Sequence, residues 1–121
     1  MSLAAYLGIR RQEVSETKVV LSLSVTENVL QPFGVLHGGV NAALAEEAAS
    51  LGAMSRLDAS HVAVGVSIST HHFRPVTSGT LIATATPEHV GKSLQTWRVE
   101  VRLSNELTSV STVTLAARER R

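Results

Sequence analysis

Two glycines, Gly38 and Gly39, open an alanine-rich stretch that carries two adjacent carboxylates, Glu46 and Glu47, and a hydroxyl at Ser50. Glycines at the entry to a helix let backbone amides come close to a ligand. The first amides of a helix have no partner within it, and the helix dipole favours negative charge beside them. Such amides suit the oxyanion that forms when a carbonyl is attacked. The plainer use of the same glycines is tight packing of a loop on a helix. Carboxylates are costly to bury in an apolar helix and are rarely placed there for stability. Adjacent helix positions differ by about 100°, so one of the two glutamates enters any given pocket. Glu46 lies seven residues beyond Gly39, on nearly the same face, and Ser50 shares that face one turn later. Glu46 is thus the candidate base or nucleophile and Glu47 its rival. The alternative for both is a face turned to solvent or to a partner subunit.

The elements that must position these groups are legible in the pattern around them. A helix is expected from about Gly39 to Leu57, apolar nearly all round through Val40, Ala42, Ala43, Leu44, Ala45, Ala48, Ala49, Leu51, Ala53 and Met54. Such a helix is surrounded by other structure, and its alanines allow a sheet to wrap closely around it. Ser2 to Gly8 reads as a short capped helix with Gly8 past its end. Met1-Ser2-Leu3 is open to being an expression remnant, and that segment is given no function. Strands are expected at Ile9–Ser15 and Lys18–Thr26; in the second, Val19, Leu21, Leu23 and Val25 alternate with smaller or polar residues. Glu27 to Leu36 is irregular, broken by Pro32 and Gly34. Four more strands are expected at His61–Phe73, Leu81–His89, Ser93–Leu103 and Ser109–Arg118. The connections between them are short enough for antiparallel neighbours, and no second long helix is available for a parallel crossover. The reading is one α+β domain over residues 1–121, a buried helix against an antiparallel sheet.

Composition narrows the function classes. A hydrophobic fraction of 44% with 17% charged residues is that of an ordinary globular protein. The aromatic residues are Tyr6, Phe33, Phe73 and Trp97, so the core falls to Val, Leu, Ile and Ala. An aliphatic core in a chain this short favours oligomerisation. The net charge is +1, the basic residues are scattered, and no aromatic residues interleave with them to stack bases, which argues against nucleic acid as a partner. The absence of cysteine excludes disulfides and thiolate chemistry. No apolar run approaches the roughly 20 residues that span a bilayer, and Met1–Gly8 lacks the features of a signal peptide, so a cytoplasmic protein without membrane contact is expected. The five histidines suggest no metal site, since His71 and His72 on one strand point to opposite faces. The nucleophile elbow of serine hydrolases is absent, because Gly65-Val66-Ser67-Ile68-Ser69 lacks its final glycine.

The stretch Gln31-Pro32-Phe33-Gly34-Val35-Leu36-His37-Gly38-Gly39, continued through Glu46 and Ser50, resembles the hot-dog acyl-CoA thioesterases. The types in question are those of phenylacetate degradation and 4-hydroxybenzoyl-CoA hydrolysis, with their menaquinone- and enterobactin-pathway relatives. Gln31 stands six before His37, the acid nine after it and the hydroxyl four beyond the acid. Weaker similarity runs through Gly65–Arg74 and His89–Trp97. The resemblance implies a hot-dog fold, an antiparallel sheet wrapped around one long central helix. It implies Glu46 as the residue that attacks the thioester or activates water, and the Gly38 amide as the group that polarises the carbonyl. His37 and Gln31 would line the reaction centre and Ser50 would help to position water. Arg74, His72 and the Gly91-Lys92-Ser93 turn fall where relatives hold CoA, and basic side chains with turn amides suit phosphates. The substrate implied is an acyl-CoA with an aromatic or otherwise hydrophobic acyl group. No cofactor is implied, CoA being part of the substrate, and the acyl pocket is expected between subunits of a homo-oligomer, a dimer or a dimer of dimers. Glu47 departs from relatives that carry a small or hydroxyl residue there, and a second carboxylate nearby would raise one pKa if both entered the pocket.

Two other readings of the same fold stay open at this stage. One is an acyl-thioester dehydratase or hydratase, which pairs a catalytic His with an acid in a different sequence context. The other is a non-catalytic acyl-CoA-binding protein, against which stands the complete set of Gln31, His37, Gly38, Glu46 and Ser50.

Overall fold

The computed structural model describes all 121 residues. A short helix, α1 (Leu3–Leu7), precedes strands β1 (Arg10–Val14) and β2 (Val19–Ser24). A 3-10 turn at Glu27–Val29 leads to the long helix α2 (Gly38–Ser55), and β3 (His61–His72), β4 (Thr80–Val90), β5 (Leu94–Leu103) and β6 (Glu106–Glu119) follow. The six strands form one antiparallel sheet in the order β1-β2-β4-β5-β6-β3. With α2 packed against it, this is the expected α+β hot-dog arrangement. No helix is long and apolar enough to cross a membrane.

Alternation along the strands builds the core. Val19, Leu21 and Leu23 of β2, Leu81, Ala83 and Ala85 of β4, and Trp97, Val99 and Val101 of β5 are fully buried. They share one cluster with Leu44, Ala45, Ala48, Ala49 and Ala53 of α2. Small side chains on both layers let helix and sheet close up, and at Gly52 the Trp97 indole fills the space a side chain would take. Trp97 Nε1 donates to Gln95 Oε1 (2.9 Å) and Gln95 Nε2 donates to the Ala53 carbonyl (3.3 Å), tying β5 to the second half of α2.

Three features depart from the sequence expectation. Helix α2 begins one residue earlier and ends at Ser55, because Arg56 and Leu57 N–H groups donate to Ala53 and Met54 carbonyls in tightened i to i−3 bonds. Strand β6 begins at Glu106, since Ser104 and Asn105, both at positive φ (48° and 71°), turn the chain in two residues. Strand β3 does not pair with β4. It pairs with β6, from His61 opposite Glu119 to His72 opposite Ser109. The Phe73–Gly79 connection instead crosses the start of α2, where Val76 is buried and its carbonyl accepts from Leu36 N–H (2.7 Å). Pro75 has no N–H with which to continue a ladder. As a result β3 is an edge strand, with Val64, Val66 and Ile68 exposed along it.

Candidate active site

The first turn of α2 is set by His37. Its Nδ1 accepts from Gly39 N–H (2.8 Å) and its carbonyl accepts from Val40 N–H (2.9 Å). An imidazole accepting at Nδ1 is neutral with its proton on Nε2, so this cap requires the uncharged ring. Neither bond uses Gly38 N–H, which lies between them at the positive end of an 18-residue helix. Gly38 must also be small, because a Cβ there would stand 3.0 Å from His72 Nε2.

Gly38 opens on a cleft of about 310 Å³ lined by Leu36, Asn41, His72, Phe73, Arg74 and Val76, among others. The structure therefore brings together three of the residues singled out from sequence: Gly38, His72 and Arg74. Asn41 joins them. It is 4% exposed, and its Nδ2 lies 3.1 Å from His72 Nδ1, while its Oδ1 is buried without a partner. Arg74 is exposed at the rim, its Nε 3.2 Å from Glu106 Oε2, so a cation is held at the mouth of the cleft by a solvated carboxylate.

Glu46 lies further along α2, on a face that the single chain leaves exposed; Glu47 is the more covered of the two. The Glu46 carboxylate rests against the backbone of Gly65 in β3. Ser50 follows, half-buried, one turn later. Eight residues separate Gly38 from Glu46, about 12 Å along the helix axis. An expectation that both reach one carbonyl within a single chain meets this distance, which exceeds the reach of a glutamate.

The remaining residues lie apart. Gln31 starts a tight turn in which Gly34 N–H donates to its carbonyl (2.9 Å) and its own N–H donates to Val35 (2.8 Å); Gly34 has φ +82°. Gln31 lines a separate hollow with Glu27 and Leu30. The Gly91-Lys92-Ser93 turn is closed by Gly91 N–H donating to the Leu94 carbonyl (2.7 Å), and Lys92 and Ser93 are exposed. Leu94 is level with Ala116 and hence with Val64, whereas His72 is level with Ser109 and Val101. The turn and the Arg74 cleft are thus at opposite ends of the sheet, roughly 25 Å apart along the strands. One chain does not bring them together.

Two carboxylates are held below their usual range, and both lie outside this region. Asp58, after α2, is lowered to about 2 by hydrogen bonds from the Ser60 side chain, His61 and the Ser60 amide. Glu100 on β5 is lowered chiefly by the Arg102 guanidinium. Sequence reasoning missed Asn41 and Gly65. An asparagine among alanines on an apolar helix was the available signal for the first; the second had none beyond a glycine inside a strand.

Comparison with known proteins places this geometry in context. The sequence model of the thioesterase superfamily matches residues 33–110. The chain is 39% identical over 122 residues to the 1,4-dihydroxy-2-naphthoyl-CoA hydrolase of Listeria monocytogenes, covering 100% of this chain and 99% of that protein. It is 33% identical over 100 residues to the proofreading thioesterase EntH of Klebsiella pneumoniae, covering 83% and 73% of the two. Among solved structures, a thioesterase from Haemophilus influenzae is similar with a TM-score of 0.93 and 39% identity, over 98% of this chain and 83% of that one.

Proposed function

The chain belongs to the thioesterase superfamily, and from that membership we propose that it hydrolyses an aromatic or otherwise hydrophobic acyl-CoA to the free acid and CoA, with Glu46 as base or nucleophile. The observation that carries this reading is the α2 start. A free Gly38 amide at the positive end of a long helix opens on a cleft whose rim holds Arg74. The amide suits the oxyanion that forms as the thioester carbonyl is attacked, and His72 and Arg74 suit CoA phosphates. Glu46 either takes a proton from water as it adds to the carbonyl carbon, or adds itself and is released by water from the resulting anhydride. In both routes the C–S bond breaks and the CoA thiolate leaves and is protonated. No cofactor is needed for these steps. The aromatic preference follows the substrate in the name of the Listeria relative, with which the whole chain aligns.

The same reading includes a homo-oligomer. The oxyanion donor and the attacking group must reach one carbonyl, and the 12 Å or so between Gly38 and Glu46 along one helix favours their coming from two copies. The exposed edge of β3 is where a second copy would add its own β3. Antiparallel addition reverses the second copy end for end, bringing its Gly91-Lys92-Ser93 turn toward the first copy's His72 and Arg74. Gln31, His37 and Ser50 keep their proposed roles, lining the centre and positioning water.

The test is a thiol-release assay over aromatic, branched and straight-chain acyl-CoAs. Turnover of an aromatic acyl-CoA with kcat/KM above 10⁴ M⁻¹s⁻¹ or so, in the ordinary enzymatic range, is expected. No thiol release from any member would contradict the reading, and an enoyl product formed from a 3-hydroxyacyl-CoA without thiol would replace it with a dehydratase.

A further inference from the structure

Gly65 lies within β3, and the place its side chain would occupy is already taken. A Cβ built there would overlap Glu46 Oε2 outright and stand 3.3 Å from Cδ and 3.9 Å from Cγ. A left-handed backbone is not the reason for the glycine. Gly65 is not among the glycines at positive φ, which are Gly8, Gly34 and Gly79. Glycine inside a strand weakens it, having no side chain to pack and more freedom to lose. Its neighbours Val64 and Val66 are β-branched residues of the kind strands favour. The ladder to β6 also shifts register between Gly65 and Ser67, a bulge of the kind that re-aims a strand locally.

Glu46 has little else to hold it. It is exposed in the single chain and belongs to none of the five ion pairs in the structure. A glutamate on a helix surface samples several staggered rotamers. In the rotamer observed, the Glu46 carboxylate points Oε2-first into the space left by Gly65.

We infer that Gly65 is a positioning residue that selects the working rotamer of Glu46 by leaving its own side-chain space empty. The inference rests on the reading that Glu46 carries out the hydrolysis. It separates activity from stability in an unusual direction. A methyl at Gly65 meets only the far end of a flexible side chain, so the carboxylate swings away and the fold is kept. Alanine is also the better strand residue of the two.

The experiment compares wild type, Gly65→Ala, Glu46→Ala and the double variant in steady-state thiol release on the best acyl-CoA of the panel. Thermal melting and sedimentation mass are measured on each. Gly65→Ala is expected to lose about 100-fold in kcat, the scale of a misplaced catalytic group, with KM within about two-fold and a melting temperature equal to or above that of wild type. The double variant is expected to be no slower than Glu46→Ala alone, because a residue acting only through that carboxylate has nothing left to act on. Wild-type kcat in Gly65→Ala beside an inactive Glu46→Ala overturns the positioning role alone. So do losses that multiply in the double variant, a change confined to KM, or a fall in melting temperature or mass accompanying the lost kcat. Wild-type kcat in Glu46→Ala overturns both this inference and the reading of the site beneath it.

Discussion

Asn41 Nδ2 on helix α2 lies 3.1 Å from His72 Nδ1 at the end of β3, joining the helix start to the edge strand beside Gly38. With the amide nitrogen donating, His72 Nδ1 accepts, and the neutral ring carries its proton on Nε2, facing the cleft at Gly38. Asn41→Ala frees this ring. The expected result is a rise in KM for acyl-CoA of about five- to ten-fold, the value of roughly one hydrogen bond, and nitrogen NMR of His72 no longer confined to one tautomer. An unchanged KM would show that the pair does not serve substrate binding.

At Gly52 helix α2 lies directly against the Trp97 side chain of β5. A Cβ there would overlap the six-membered ring of Trp97, a fully buried indole that cannot swing aside. Gly52→Ala is therefore expected to destabilise by about 1–3 kcal/mol through overpacking, lowering the melting temperature by roughly 5–15 °C. Helix propensity alone predicts the opposite, a gain of about 1 kcal/mol. Calorimetry distinguishes the two, and a raised melting temperature would contradict the packing described.

The apolar edge of β3 carries Val66 at 58% exposure. Sedimentation of the wild-type protein is expected to give a multiple of 12.9 kDa. Val66→Lys places a charge on this edge, a common guard against strand addition, and is expected to lower both the mass and the turnover. A fully active wild-type protein at 12.9 kDa would show that one chain completes its own site.

How much of this was legible in the sequence depends on how local each feature is. The alternation of Val19, Leu21 and Leu23 and the alanines of α2 reveal their elements because periodicity is written in adjacent residues. Gly38 and Glu46 stand out for similar reasons, as breaks in an otherwise regular apolar pattern. The partner of β3 was not legible, since pairing with β6 is decided roughly forty to sixty residues further along by how the sheet closes on the helix. Nor was the distance of the Gly91-Lys92-Ser93 turn from Arg74, which follows from that pairing. The roles of Asn41 and Gly65 come from neighbours on other elements, and no local pattern carries that information.

The central claim is that the Glu46 carboxylate performs the hydrolysis. Glu46→Gln keeps the size of the side chain and its fit over Gly65 while removing the negative charge and the basic oxygen. The direct measurement is steady-state thiol release by this variant beside wild type on one aromatic acyl-CoA. A fall in kcat of about 10²- to 10⁴-fold, the usual contribution of a positioned acid or base, with KM little changed, is the result expected. Wild-type turnover by Glu46→Gln would contradict the account.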